Sequence, residues 1–248
     1  MRGVDRVLQL LEVLHTAREP LRIGELARRL NAPRSTTYDL VNTLLAAGIL
    51  ETYEEESRVF FGRTLHFYAS DYMNGHRLSR LARKEVQDLC AGTGQTSQYC
   101  ALTRDKFTVL HMETGNAMFK ISSDIGIALP LPWTASGRLL VDHMTADEIL
   151  AFVPEEDFIL PNGHRIDRAT FCAEVAAARR DDFFSTKGLV DDFAECLAVP
   201  VRDAAGVAVG CMCLITVRDR DPDERGRYLD QLHASGERLS RALSIKAG

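Results

Sequence analysis

The chain has 248 residues, a formal net charge of −5 and six cysteines. This length accommodates two domains, one of them with a sizeable hydrophobic core. No run approaches ~18 consecutive apolar residues, and the amino terminus enters a charged amphipathic helix at once, so we expect no membrane span, no signal peptide and a cytoplasmic location. The acidic charge argues against indiscriminate nucleic-acid binding and leaves site-specific binding open.

The first 75 residues carry the pattern of a winged helix-turn-helix. An upstream helix is expected to pack through one apolar face, formed by Val4, Val7, Leu8, Leu11 and Leu14. Two short helices follow, with apolar residues at helical spacing: Ile23, Leu26, Ala27 and Leu30, then Thr37, Leu40, Val41 and Leu44. Asn31, Ala32 and Pro33 break the first of these, and Pro33 suits the first turn of the next. Gly48 ends that helix, and residues 49–53 and 59–62 resemble the arms of a hairpin.

The outer face of the second short helix is rich in hydrogen-bond donors. Arg34, Ser35, Thr36, Tyr38 and Asn42 can contact phosphates or base edges in a major groove. Residues 1–75 hold nine basic and ten acidic side chains, so this region as a whole is not basic. Arg28, Arg29 and Arg34 nevertheless cluster at the turn. A small helical bundle that touches no DNA is the alternative interpretation.

The rest of the chain predicts an α+β domain reached through a helical connector. Apolar residues from Leu78 to Leu89 form a helical stripe after a polar joint at residues 73–76; this helix either transmits a rotation or simply covers a sheet. Strands are expected at Thr96–Thr103, Thr108–Glu113, Met118–Ser122, Glu195–Arg202 and Val207–Val217, with a hairpin at 203–206. Helices are expected at Gly137–His143, Ala146–Phe152, Arg168–Arg180 and Asp223–Ile245. The mixture favours an antiparallel sheet.

A run of small residues, Thr134 to Gly137, begins one of these helices. Its backbone N–H groups can point at an anion where the helix dipole is positive, and a carboxylate would suit this position. The alternative is an ordinary N-capped helix that binds nothing.

The six cysteines lie in apolar segments without a CxxC pair, which is typical of reduced, buried thiols. Cys211 and Cys213 fall on the same side of a strand, so a redox or metal sensor built with Cys196 is an open alternative. A thiol enzyme using Cys196 with His111 or His143 is more remote, because their spacing does not require them to meet. No GxSxG, HExxH, Walker or GxGxxG motif occurs. We predict no enzyme activity, no cofactor and no metal site.

The sequence V-D-R-V-L-Q-L-L-E-V-L, followed by L-R-I-G-E-L-A-R-R-L-N-A-P-R-S-T-T-Y-D-L-V-N-T-L-L-A-A-G-I-L, resembles the IclR family of bacterial transcriptional regulators. The likeness spans nearly the whole chain. It implies a winged helix-turn-helix domain at residues 1–65, then a linker helix and a GAF-like effector-binding α/β domain at 66–248. The predicted DNA-contacting residues are Arg34, Ser35, Thr36, Thr37, Tyr38 and Asn42, with Arg58 in the wing.

Two departures from the family are expected to matter for DNA binding. The family usually has a basic residue where this chain has Asp39, and a carboxylate there repels phosphate. The wing carries three consecutive acids, Glu54, Glu55 and Glu56. Operator sequence or docking register is therefore expected to differ from that of other members.

The resemblance also implies an effector pocket, transferred position by position. Ala135 and Ser136 would hold an acidic group through backbone amides, and Gly137 would permit close approach. The other implied pocket residues are Thr186, Cys196, Cys213, Ile215, Met118, Ile121 and Leu129. Thr186 replaces a frequent aspartate, unless Asp191 or Asp192 supplies that carboxylate. These side chains form a less polar cavity, which favours an aromatic or acyl carboxylate.

The sequence thus predicts a homo-oligomeric DNA-binding regulator controlled by a small organic acid. Family likeness implies a homodimer that pairs into a dimer of dimers on a near-palindromic operator. Repression and activation are both compatible with the sequence.

Overall fold

The computed structural model describes residues 3–53, 57–116 and 124–244. The chain folds into two compact units, residues 1–76 and 77–248. The sequence predicts a division after residue 65, whereas in the structure the helix at 63–75 groups with the first unit. No described helix is long and apolar enough to cross a membrane.

The N-terminal unit is a winged helix-turn-helix. Its elements are α1 (Gly3–Ala17), β1 (Leu21–Arg22), α2 (Ile23–Arg29), α3 (Arg34–Ala46), β2 (Leu50–Tyr53), β3 (Arg58–Phe61) and α4 (Arg63–Gly75). The sheet has the order β1-β3-β2 and is antiparallel. The sequence does not predict β1, because two residues carry no periodic signal.

The apolar face of α1 differs from the prediction. Leu10 and Leu14 are fully buried, whereas Val4 and Leu8 are 69% and 61% exposed. Starting from Val7, the side chains of α1 that pack in the core follow at intervals of three or four residues. With this spacing, Val4 and Leu8 point toward solvent. The prediction is therefore confirmed for Val7 and Leu14 and wrong for Val4 and Leu8, and it misses Leu10.

The turn between α2 and α3 follows the predicted chemistry. Asn31 adopts a positive φ of 48°, which asparagine tolerates better than most residues. Pro33 is the N-cap of α3 rather than a member of its first turn, and its carbonyl accepts from the Thr37 N–H and Oγ1, both at 3.1 Å. Gly48, with φ of 67°, ends the segment as predicted.

The C-terminal unit is built on a six-stranded antiparallel sheet of order β6-β5-β4-β9-β8-β7, which confirms the predicted α+β class. The strands are β4 (Thr96–Thr103), β5 (Lys106–Glu113), β6 (Ala128–Pro130), β7 (Phe184–Lys187), β8 (Ala194–Arg202) and β9 (Ala208–Val217). The short edge strands β6 and β7 are absent from the sequence prediction. The predicted strand Met118–Ser122 lies outside the described residues.

Helices cover both faces of this sheet. They are α5 (Arg77–Thr93), α6 (Ala135–Leu140), α7 (Ala146–Phe152), α8 (Arg168–Asp181) and α9 (Pro222–Ser244), with 3-10 turns at Leu131–Trp133 and Glu155–Phe158. Helices α5 and α9 pack with Leu197, Val199 and Leu214 on one face. Helices α6 and α8 pack with Ala198, Cys211 and Cys213 on the other. The alternation of side chains along β8 and β9 thus separates two hydrophobic cores.

A buried guanidinium holds α6 against its neighbours. Arg138 is 2% exposed, and it donates to Glu174 Oε2 of α8 at 2.7 Å and 3.0 Å. Its Nη1 also donates to the carbonyls of Pro132 and Thr134 at 2.7 Å and 2.8 Å. Burial lowers the pKa of Arg138, while the Glu174 carboxylate opposes that effect. The guanidinium is therefore a matched buried charge that fixes the turn before α6.

Arg138→Gln is expected to destabilise the C-terminal unit by about 3 kcal/mol, because two backbone carbonyls and Glu174 lose their donor. The control is Arg241→Gln, whose pair with Glu237 at 3.4 Å is largely exposed, and it should cost less than about 0.5 kcal/mol. Denaturant unfolding followed by the fluorescence of Trp133, the only tryptophan, measures both variants. Equal effects of the two substitutions would contradict the structural role assigned to Arg138.

Candidate functional site

The exposed face of α3 presents most of the side chains predicted to contact DNA. Arg34, Ser35, Tyr38 and Asn42 are exposed, and Thr36 is half-buried. Thr37 is a correction to the predicted set: it is fully buried, and its hydroxyl donates to the Pro33 carbonyl. Its side chain belongs to the core and cannot reach a groove.

A groove lined by arginines runs beside this face. Four segments contribute one cation each: Arg22 from β1, Arg28 from α2, Arg34 from α3 and Arg58 from β3. Tyr38 completes the wall on the α3 side. Because Glu25 in the same wall is paired with Arg29 at 2.5 Å, the groove retains a positive balance. Such a groove suits the phosphate backbone of DNA.

Arg22 and Arg28 are additions to the predicted contact set. The cluster of arginines at the turn is visible in the sequence, but the position of Arg22 depends on the pairing of β1 with β3, in which Arg22 lies opposite Arg58. The acidic residues Glu54 to Glu56 of the wing lie outside the described residues.

The C-terminal unit contains a cavity of about 90 Å³ on the α6 side of the sheet. Four predicted pocket residues, Leu129, Thr186, Cys196 and Ile215, line it. The further lining residues in the described part of the chain are Gln98, Phe107, Trp133, Thr134, Leu189, Val190, Asp191 and Ala194. Of the remaining predicted residues, Met118 and Ile121 lie outside the described residues.

The start of α6 does not present open amide groups to this cavity. Ala135 and Ser136 have no exposed surface. The Gly137 N–H donates to the N-cap oxygen Thr134 Oγ1 at 2.9 Å. The amide groups that the sequence analysis assigns to a ligand carboxylate are therefore closed to the cavity in this structure.

Gly137 and Cys213 lie behind the cavity wall. A side chain at Gly137 would meet the Leu131 carbonyl oxygen at 1.9 Å, so glycine is required where α6 crosses the preceding turn. Cys213 is fully buried, and its Sγ lies 2.7 Å from Ser136 Oγ. Neither residue is part of the lining of the cavity as it stands in the structure.

Polar groups of the cavity wall are hydroxyls, one amide and one carboxylate. The Thr134 hydroxyl accepts from Gly137, which leaves its own proton available to donate. The Trp133 indole N–H donates to the Asp157 carbonyl at 2.8 Å, so its ring contributes apolar surface. No arginine or lysine is among the described lining residues. An anion here would be held by neutral donors.

Cysteines in and behind the cavity wall form a cluster of protonated thiols. Cys213 Sγ lies 3.8 Å from Cys100 Sγ. Hydrogen bonding and burial raise the pKa of Cys196 well above its ordinary value, and burial does the same to the pKa of Cys211. Protonated thiols are poor nucleophiles and slow to oxidise. Within the described ranges, no group of His, Cys, Asp and Glu has the geometry to hold a metal ion.

The structure does not bring Cys196 and His111 together. His111 Nε2 lies 2.9 Å from Ser79 Oγ of α5, and its ring stacks on Tyr99 with centroids 6.3 Å apart. Burial lowers the pKa of His111. His143, the other histidine considered as a base, is exposed. The thiol–imidazole pair that a cysteine enzyme needs is thus not formed by His111.

Comparison with known proteins identifies both units. The model of the IclR helix-turn-helix domain matches residues 3–53, and that of the bacterial transcriptional regulator IclR C-terminal domain matches residues 70–241. The chain is 23% identical to the HTH-type transcriptional regulator XynR of Escherichia coli strain K12, over 100% of this chain and 99% of that relative. It is 24% identical to KdgR of Dickeya chrysanthemi, over 96% of this chain and 79% of the relative.

Solved structures share the fold. An IclR homologue from Microbacterium hydrocarbonoxydans, crystallised in complex with 4-hydroxybenzoate, superposes with a TM-score of 0.83 at 21% identity, over 97% of this chain and 100% of that one. XynR and KdgR are named as transcriptional regulators, in agreement with the prediction that this chain is not an enzyme. The chain belongs to the IclR family of DNA-binding transcriptional regulators.

Proposed function

We propose that the N-terminal domain, residues 1–65, binds operator DNA through α3 and the arginine groove, and that residues 66–248 comprise a linker and an effector-binding domain. The observation that carries the DNA-binding assignment is the convergence of Arg22, Arg28, Arg34 and Arg58 on one groove beside the exposed face of α3. Arginines on one face position a protein on the DNA backbone, and a neighbouring helix reads base edges.

Exposed apolar side chains support assembly into a homodimer. On α1, Val4 and Leu8 are exposed, and on α4, Phe67, Tyr68 and Tyr72 are each more than half exposed. Apolar surface of this kind is typical of a protein interface. A two-fold pair would present two copies of α3 to a near-palindromic operator. The further pairing of dimers into a tetramer rests on family likeness alone.

Arg34→Ala is expected to weaken binding of a DNA duplex selected by the wild-type chain, and to reduce the slope of log K against log salt by about 0.9, because one phosphate contact is lost. Fluorescence anisotropy at several salt concentrations measures both quantities. Arg241→Ala, which removes an exposed arginine from α9, is the matched control and should leave the slope unchanged. An unchanged slope for Arg34→Ala would contradict the proposed DNA-binding surface.

The effector is proposed to be a small carboxylate with an apolar body. Phe107, Leu129, Trp133, Leu189 and Ile215 give the cavity a largely apolar wall. The hydroxyls of Thr134 and Thr186 can donate to a carboxylate, and Asp191 can accept from a ligand hydroxyl. The complex of the Microbacterium hydrocarbonoxydans homologue with 4-hydroxybenzoate supports this class of ligand.

The predicted roles of Ala135, Ser136 and Gly137 require a rearrangement. Ala135 and Ser136 are fully buried and do not line the cavity, so a ligand carboxylate can reach their N–H groups only if side chains of the cavity wall move.

The effector class is tested by thermal unfolding with 4-hydroxybenzoate, benzoate and short aliphatic carboxylates. A ligand that binds only the folded chain raises the melting temperature by mass action. Benzamide is the matched uncharged control for benzoate. A rise with the carboxylate and none with the amide supports the proposal. The absence of any rise across the panel contradicts it.

Thr186→Val is expected to weaken binding of the carboxylate that stabilises the protein most, by about 10-fold or more, because a hydrogen bond to a charged group is lost while shape is kept. Thr103→Val makes the same chemical change at an exposed position of β4 and should leave affinity unchanged. Calorimetric titration measures both variants. Equal affinities would remove Thr186 from the proposed site.

A redox-controlled regulator is the second candidate, and the contact of Cys213 with Cys100 is what favours it. The raised pKa of these thiols speaks against rapid oxidation. Treatment with hydrogen peroxide distinguishes the two candidates. The effector proposal predicts that DNA affinity stays constant under mild oxidation, and a loss that disappears in Cys196→Ala would favour the redox alternative.

A further inference from the structure

One acidic side chain, Asp39, lies at the centre of the surface that α3 turns outward. Successive residues of a helix are separated by 100° around its axis. The buried residues Thr37, Val41 and Leu44 define the inward direction of α3, and Asp39 lies within about 15° of the opposite, outward direction. The side chain is exposed. In the described part of the chain no hydrogen bond or ion pair to its carboxylate is found.

The neighbours of Asp39 on this face are uncharged. Ser35 and Thr43 lie one turn before and one turn after it, and Asn42 lies beside them. Arg34 lies about 140° around the helix, where it joins the arginine groove. The helix therefore separates its cations, at the flank, from a carboxylate at the centre.

This arrangement limits what Asp39 can contact in DNA. A phosphate would repel the carboxylate, so Asp39 is useful only where base edges face it. An ionised carboxylate can only accept hydrogen bonds. In the major groove guanine offers two acceptors and thymine offers one acceptor and a methyl group, whereas adenine places its N7 acceptor beside its amino group. Cytosine presents an N4 amino donor with no neighbouring acceptor on the same base.

We propose that Asp39 is a specificity-determining residue that selects a cytosine at one position of the operator for each bound α3, by accepting a hydrogen bond from the cytosine N4 amino group. This assignment rests on the proposed docking of α3 in the major groove. The same carboxylate disfavours the other three bases and the backbone of unrelated DNA, so it increases discrimination more than affinity.

The test begins with selection from a pool of random duplex DNA by the full-length chain and three variants. The wild type is expected to enrich sites with an invariant cytosine, and Asp39→Ala to lose the preference at that position only. Asp39→Asn is expected to change the preference there to adenine, because an asparagine amide pairs with adenine N6 and N7. Asp71→Ala removes an exposed carboxylate from α4 and should select the wild-type sequence.

A second measurement places N4-methylcytosine at the selected position of the wild-type site. The methyl group replaces the hydrogen that faces the major groove and leaves the base pair formed. Wild-type affinity should fall at least about 5-fold, and Asp39→Ala affinity should not change. If wild type and Asp39→Ala select the same base at every position, the role of Asp39 is overturned while DNA reading by α3 stands. If the wild type enriches no sequence, both the role of Asp39 and the proposed DNA surface are overturned.

Discussion

The C-terminal domain depends on a sheet whose two faces are both buried. Successive side chains of a strand point to opposite faces of the sheet, so neighbouring residues of β8 pack in different layers of the domain. Cys196 lines the cavity, while Glu195 is fully buried on the opposite face and accepts from Arg225 of α9 at 2.8 Å and 3.0 Å. A ligand that contacts Cys196 therefore touches a strand that is tied to α9. This physical link is the means by which a small molecule could alter helix packing.

The N-terminal domain divides its tasks around a single helix. One side of α3 packs in the core through Thr37, Val41 and Leu44. Its flank, with Arg34 and Tyr38, belongs to a groove that supplies positive charge. Residues 1–75 as a whole have no excess of basic over acidic side chains. Its outermost surface carries short polar side chains suited to base edges. Local clustering of arginines thus provides the positive potential that a net positive charge provides in more basic DNA-binding domains.

The sequence predicts well those helices and strands that are marked by a local pattern of residues. Strand β4 and helix α7 have the predicted bounds, because each is a continuous run between clear turn residues. Strand β7 escapes prediction, since its four residues are all only partly buried or exposed. The family likeness indicates which residues approach the ligand, and Thr186, Cys196 and Ile215 do line one cavity. It cannot indicate that Cys213 is covered by Ser136 or that Arg22 faces the groove, because both depend on strand pairing and helix placement.

Control of DNA binding requires that the ligand prefers one of two conformations, and the coupling must then be reciprocal. The most direct measurement is the affinity for a selected duplex with and without the carboxylate that most raises the melting temperature. We predict a change of about 5-fold or more in either direction, and an equal change in carboxylate affinity when the duplex is saturating. Identical affinities in all four titrations would contradict control of DNA binding by this cavity.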